Sequence, residues 1–144
     1  MKHIRYKITT DRGLIMRCLT SSKKTWDRVT GNLDVDPELF FPLHDHIKWL
    51  KCGKFGVFMG IDMGNGIWDM HAALLPNSTG QGKRIAIGAY AWAFRNLDIR
   101  EARSTIPRRS LGVIKFAEKL GLKRIDEDLH TVTYSVTRDE FMNR

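Results

Sequence analysis

Residues 67–94 place an acid, an imidazole and a glycine-containing basic turn in close succession. Asp69 and His71 stand two apart in the run Ile67 to Leu75, so a strand there projects both from one face. Pro76 ends the run, and Asn77-Ser78-Thr79-Gly80-Gln81-Gly82-Lys83-Arg84 leads into the apolar stretch Ile85 to Phe94. Gly80 and Gly82 beside Lys83 and Arg84 at the start of a helix would offer backbone N–H groups, a favourable dipole and positive charge to a phosphate. The chemistry suggested is therefore recognition of a phosphorylated ligand. Other phosphate loops fit less well: a Walker loop needs four residues between its first Gly and Gly-Lys-Ser/Thr, and the dinucleotide pattern needs a third Gly where Ile85 stands. His44-Asp45-His46 lies in an apparent loop without a spaced third ligand, so no metal site is expected. Cys18 and Cys52 are too few for a disulfide framework and lack zinc spacing, and are expected as reduced thiols in or near the core.

The elements that must position these residues follow from periodicity. Ile4 to Thr9 alternates like a half-buried strand; Leu14, Ile15, Cys18 and Leu19 recur at helical spacing, and Ser21 or Ser22 can cap a second helix containing Trp26 and Val29. Gly31 to Pro42 reads as a loop with one helical turn at Glu38 to Phe41. Three strands follow, Ile47 to Cys52, Val57 to Met63 and Ile67 to Leu75, with an Asn65-Gly66 hairpin signal between the last two. A helix is predicted over Lys83 to Asn96, its alanines allowing close approach to a sheet. Ile99 to Ile106 reads as a strand, Ser110 can cap a helix running to Leu120, and Gly121 fits its C-terminal end. Lys123 to Ile125 and Thr131 to Thr137 are the closing strands. The order predicts an α/β single domain over residues 1–144: a mixed sheet of about seven strands with four helices packed on both faces. The strand before Pro76, the helix after Gly82 and the strand near Ile99 make a right-handed βαβ unit with parallel strands.

Composition bounds the function classes. With 144 residues, 42% of them hydrophobic and 28% charged, the chain has the make-up of one folded domain. No apolar run approaches the roughly 20 residues of a membrane span, and Met-Lys-His-Ile-Arg-Tyr lacks a signal-peptide core, so a cytoplasmic location and no membrane partner are expected. Charge is localised: the net excess is +8, and the segment Lys83 to Arg124 holds 11 Lys and Arg against 3 Asp and Glu. The whole excess therefore lies there, an electrostatic footprint for a polyanion, whether cofactor phosphates or nucleic acid.

With this order of elements, the chain resembles the GCN5-related N-acetyltransferase (GNAT) superfamily over its whole length. In that family the fourth strand ends in a loop of pattern Gln/Arg-x-x-Gly-x-Gly/Ala, whose amides hold the pyrophosphate of acetyl-coenzyme A. Anchored on Pro76, the pattern falls on Thr79 to Arg84, where Gly82 matches and Thr79 and Arg84 do not; two residues earlier it falls on Asn77 to Gly82, with both glycines in place and Asn77 for Gln or Arg. The register stays open. A second stretch, Ser110 to Leu122, is similar to the family's fourth helix. There Ser110 replaces an Asn, Leu122 a Phe, and Ala117 the Tyr that usually protonates the leaving thiolate. Phe116 has no hydroxyl to take over that role; Tyr134 has one, if its strand brings it near.

The resemblance implies an acetyl-coenzyme A-dependent N-acyltransferase acting on a primary amine. Asp69 or His71 would deprotonate the amine, Leu74 and Leu75 would meet the acyl and pantetheine arm, and Gly80, Gln81, Gly82, Lys83, Arg84 and Ser110 would hold the cofactor. The partner expected is an amine-bearing acceptor, small molecule or protein, with a homodimer left open. The alternative for Asp69 and His71 is structural: His71 as a hydrogen-bonded sheet residue and Asp69 as a surface partner for a basic neighbour. A second reading starts from compact GNAT-like proteins with a His-Ala-Ala-Leu-Leu-Pro run and a degenerate loop: they look similar to bacteriophage and prophage proteins, some associated with head or virion assembly. It implies a non-catalytic role with virion proteins as partners. Nucleic-acid binding through Arg100, Arg103, Arg108 and Arg109 is a third reading, without a recognised motif to accompany it.

Overall fold

The computed structural model describes residues 3–30 and 45–143. The predicted loop from Gly31 to Pro42, with its helical turn at Glu38 to Phe41, and His44 of the His-Asp-His run lie outside the described residues. Among the described residues seven strands form one sheet: β1 (Tyr6–Thr9), β2 (Ile47–Cys52), β3 (Gly56–Asp62), β4 (Ile67–Leu74), β5 (Glu101–Pro107), β6 (Lys123–Glu127) and β7 (Thr131–Thr137). Their spatial order is β1-β2-β3-β4-β5-β7-β6. Every pairing is antiparallel except β4 with β5, the pair joined by the predicted crossover helix. The helices are α1 (Arg12–Leu19), α2 (Lys23–Thr30), α3 (Gly82–Asn96), α4 (Leu111–Lys119) and α5 (Arg138–Met142).

Local chemistry explains most of these boundaries. Asp11 caps α1, its carboxylate accepting from the Leu14 amide at 3.1 Å, and Ser22 caps α2 through the Thr25 amide, also at 3.1 Å. Asn65 and Gly66 both take positive φ (58° and 76°), as the tight turn between β3 and β4 requires. Gly121, at φ 86°, follows the end of α4 as predicted. Ser110 precedes α4 without making the expected side-chain cap. Its backbone is not in the extended conformation an N-cap needs, and its amide donates to Pro107 O instead. The fifth helix was not predicted. It is fixed by a capping box in which Thr137 Oγ1 accepts from the Glu140 amide and Glu140 Oε1 accepts from the Thr137 amide.

Two apolar layers sandwich the sheet. On one face α1 buries Ile15, Cys18 and Leu19 against Trp49, Val57, Met59 and Ala73 of β2, β3 and β4. The other face carries the larger core, built from α3, α4 and α5 on Leu50, Phe58, Trp68, Met70, Ile106 and Tyr134. The two thiols are buried, one in each layer, and burial pushes the Cys52 thiol up to about 12, which makes it unreactive at neutral pH.

α3 lies close to the sheet because its inner face is Ala86, Ala89 and Ala93, with Gly88 where β1 crosses. The Tyr6 hydroxyl donates to Ile85 O at 2.9 Å, and a Cβ at Gly88 would sit 2.1 Å from that hydroxyl oxygen. Gly88→Ala is therefore expected to destabilise the protein by about 1–2 kcal/mol, overpacking outweighing the gain in helix propensity. In a Tyr6→Ala background the obstacle is gone, and the same substitution should stabilise by about 0.5–1 kcal/mol. Urea denaturation of the four proteins reads this inversion of sign, and equal effects in both backgrounds would refute the contact.

Candidate functional site

β4 and β5 begin as neighbours and then part. Their parallel register covers only Ile67 to Asp69 opposite Glu101 to Arg103, although β4 runs on to Leu74 and β5 to Pro107. A cleft of about 390 Å³ opens where pairing stops, within the range of small-molecule sites. Met70, His71, Ala72 and Leu74 form one wall, and Ser104, Thr105 and Ile106 the other. Gly82, Ala86 and Tyr90 of α3 and Val113, Phe116 and Ala117 of α4 enclose it on the face of the larger core, while Thr25 of α2 reaches it from the opposite face. The opening thus passes through the sheet.

The strand-to-helix turn sits at the mouth of this cleft. Pro76–Ser78 form a single 3₁₀ turn, Gly80 takes φ 81°, and Gly82 is the first residue of α3. The first intrahelical bond runs from the Ile85 amide to Gln81 O, so the amides of the first turn point out of the helix end, where its dipole is positive. A Cβ at Gly82 would meet Phe116 at 3.4 Å, whereas nothing lies within 4 Å of one at Gly80. Gly82 therefore faces the cleft and Gly80 faces open space. Lys83 is exposed, and Arg84 donates to Gln81 Oε1 at 3.0 Å. Leu74 lines the cleft; Leu75 is half-buried and its amide donates to Phe55 O, tying the end of β4 to the start of β3. Ser110 is half-buried at the start of α4, two residues from the cleft residue Gly112.

Asp69 and His71 share one face of β4, as their spacing predicts, and there they meet. His71 Nε2 and Asp69 Oδ2 are 2.9 Å apart, and both side chains are about four-fifths buried. The other carboxylate oxygen, Oδ1, accepts from the Thr105 amide at 3.4 Å, beside the point where the two strands part. Asp69 therefore spans the gap and fixes the His71 ring by one nitrogen. On the face of α1 and α2, a second cavity of about 310 Å³ adjoins: Asp69 and Thr105 line it together with Met63, Arg103, Asp126 and Thr133. The pair stands between the two spaces, His71 in the first and Asp69 in the second.

Some expectations are not met. Tyr134 does not line the cleft: it is buried in the larger core, donates to Glu118 Oε2 at 3.0 Å and accepts from Arg124 at 3.3 Å. The basic segment is not one continuous cationic patch. Arg103 is paired with Glu101, Arg108 and Arg124 with Glu127, and Lys123 with Glu140. Arg100 and Arg103 sit at the start of β5, away from Arg108 and Arg109 beyond its other end. Among the described residues, no group of three or more metal-ligating side chains exists, and no helix is long and apolar enough to cross a membrane.

No protein-family model and no curated protein matches the chain. Solved structures do, over nearly its full length. A spermidine N-acetyltransferase from Vibrio cholerae, in complex with coenzyme A and spermine, superposes with a TM-score of 0.72 at 10% identity, covering 98% of this chain and 99% of that one. The fold is that of the GNAT acetyltransferases. The aminoglycoside acetyltransferase AAC(6')-Ib with coenzyme A gives 0.74 at 13% identity, over 97% of this chain and 98% of its own. The N-acetyltransferase PseH of Campylobacter jejuni, in complex with acetyl-coenzyme A, gives 0.65 at 14% identity, over 93% and 98%. At these identities the likeness is one of fold, and the parted β4 and β5 are where this chain's own residues build a GNAT-fold cleft.

Proposed function

We propose that the protein is an acyl-coenzyme A-dependent N-acyltransferase, with acetyl-coenzyme A as the donor and a primary amine as the acceptor. The observation that carries this reading is the parting of β4 from β5 around a cleft that begins at the helix end formed by Gly82. A long thin donor with a phosphate head suits that shape: the amides of Gly82, Lys83 and Arg84 and the charges of Lys83 and Arg84 would hold the pyrophosphate. The positive φ of Gly80 and the position of Gly82 at the first helical residue favour the register Asn77 to Gly82 for the phosphate loop. Gln81 would contribute backbone, Leu74 and Leu75 the walls for the arm, and Ser110 a polar group at the rim. Coenzyme A supplies the activated thioester, and the chain's task is to orient it and manage protons.

The acceptor would enter from the second cavity, where Asp69 and Asp126 favour a cationic amine. His71, held by Asp69, takes the proton that the amine loses on attack. Direct transfer fits the site because the cleft and the second cavity adjoin at the Asp69–His71 pair, so donor and acceptor would be held together.

Calorimetric titration with acetyl-coenzyme A tests the reading, with Gly82→Glu as the variant. A carboxylate at the first helical residue suits the helix dipole and leaves the fold intact, but faces the donor's phosphates; Kd should rise at least about tenfold. No binding of acetyl-coenzyme A by the wild type at millimolar ligand would sink the cofactor assignment. Binding without turnover of any primary amine would leave the non-catalytic assembly role as the better reading.

A further inference from the structure

A thioester leaving group needs a proton donor, and α4 offers none at the cleft. Ala117 and Phe116 line it without a polar atom, and Tyr134 is committed to Glu118 and Arg124 elsewhere. We propose, on the basis of the acyltransferase reading, that the hydroxyl of Tyr90 on α3 is the proton donor to the departing sulfur.

Placement is the first argument. Gly82, Ala86 and Tyr90 follow one another at four-residue spacing and all line the cleft, so they form one stripe along α3. The two small residues leave room beside the helix. Tyr90 stands two turns, about 12 Å, further in than the helix end, a distance that a pantetheine arm reaching in from the phosphate site can span.

The environment of the hydroxyl is the second argument. Tyr90 is only 4% exposed, and its ring is held edge-on by Phe58 and Phe141, with centroids 6.2 and 6.0 Å away. Among the described residues no buried side-chain nitrogen or oxygen lacks a partner, yet the Tyr90 hydroxyl makes no hydrogen bond to them. It therefore reaches open space, and the cleft is the space its side chain lines. A fixed phenol aimed into a ligand cleft without a protein partner is arranged to donate to a ligand. Burial, with a smaller contribution from the charge of Asp69, raises its pKa, so it stays protonated at neutral pH and lies within electrostatic range of the Asp69–His71 pair. Burial in the same cleft also raises the pKa of the thiol being formed, which keeps donor and acceptor of the proton matched. Thr25, Ser104 and Thr105 carry the other hydroxyls that line the cleft, but aliphatic hydroxyls are far weaker acids than a phenol.

The step balances as follows. The amine nitrogen forms a bond to the thioester carbonyl carbon and loses a proton to His71; the carbon–sulfur bond breaks, sulfur keeps the electron pair, and Tyr90 Oη gives it a proton. Solvent then returns the proton from His71 to the tyrosinate, leaving amide and free coenzyme A.

Tyr90→Phe keeps the ring and removes only the hydroxyl. Its melting midpoint and its affinity for acetyl-coenzyme A should match the wild type, while kcat with a primary amine falls about 100-fold, and Ser104→Ala should lose less than about threefold. If the wild type fails to bind acetyl-coenzyme A, the acyltransferase reading fails and takes this one with it. If the wild type transfers acetyl groups and Tyr90→Phe keeps a comparable kcat, or Ser104→Ala shows the loss instead, the Tyr90 assignment alone is overturned. Binding without turnover overturns it too, because no sulfur then departs.

Discussion

His71→Ala is expected to lower kcat for acetyl transfer to a primary amine by about 10²–10⁴-fold, the usual contribution of a positioned general base. The argument rests on geometry. His71 is held through Nε2 by Asp69 at 2.9 Å and lines the cleft, whereas Asp69 is itself tied to the Thr105 amide and faces the second cavity. The carboxylate thus orients the imidazole, and in the proposed reaction the imidazole would meet the substrate. Asp69→Asn should therefore cost less than His71→Ala, because an amide oxygen can still accept from Nε2 while the favourable charge is lost. Affinity for acetyl-coenzyme A should be nearly unchanged in both, since neither residue lies near the Gly82 end. The measurement is release of free coenzyme A thiol at saturating donor against a panel of primary amines, with donor affinity measured separately by calorimetry. A His71→Ala protein that keeps its kcat would reduce the pair to a hydrogen bond within the sheet.

The shared face of Asp69 and His71 was legible in the sequence because a strand's period of two dictates it once Ile67 to Leu74 is a strand, whereas their hydrogen bond was not. The Asn65-Gly66 turn and the limits of β2 were legible for a similar reason: local conformational preference and pattern agree there. Other boundaries depend on tertiary partners. Ile99 reads as the first residue of β5, and it is buried, but the Arg100 amide is drawn to Gly66 O and the ladder begins only at Glu101. α5 has five residues, too few for a periodic signal, although Thr137 and Glu140 already carry its capping box.

The cleft was the least legible part. Nothing in the composition of β4 or β5 marks Asp69 and Arg103 as the last paired residues; beyond them, residues of α2, α3 and α4 line the gap, and these are brought together only in the assembled fold. Tyr90 was hidden for the same reason. Its spacing in α3 is that of a core residue, and it is one, with Ala89, Ala93 and Phe94. Among the described residues its hydroxyl has no hydrogen-bond partner, which separates it from an ordinary core tyrosine, and that is a property of the assembled fold. Conversely, the charge of residues 83–124 was plain in the sequence, while its division among Glu101, Glu127 and Glu140 appears only once β5, β6 and β7 are side by side.

Gly56→Ala should be the most damaging glycine-to-alanine substitution among the described residues, with a loss of about 3–5 kcal/mol out of a total stability that for such domains is about 5–15 kcal/mol. Gly56 opens β3 at φ 138°, a conformation that L side chains rarely adopt. A Cβ there would lie 2.5 Å from Ala73 O and 2.7 Å from Leu74 Cα. Both obstacles are backbone, so no rotamer change relieves them, and the end of β4 must move. Movement is costly at this point because the Leu75 amide is bonded to Phe55 O at 2.7 Å, and Ala73 packs under α1. Thermal unfolding followed by circular dichroism should show the midpoint falling by about 10–20 °C. The strain also acts on the cleft, whose wall includes Leu74 and whose proposed phosphate site would start only a few residues later. In protein that remains folded at low temperature, the affinity for acetyl-coenzyme A should therefore drop as well, although Gly56 does not line the cleft. A midpoint within about 2 °C of the wild type would mean that β3 and β4 separate at this end more easily than their contacts require.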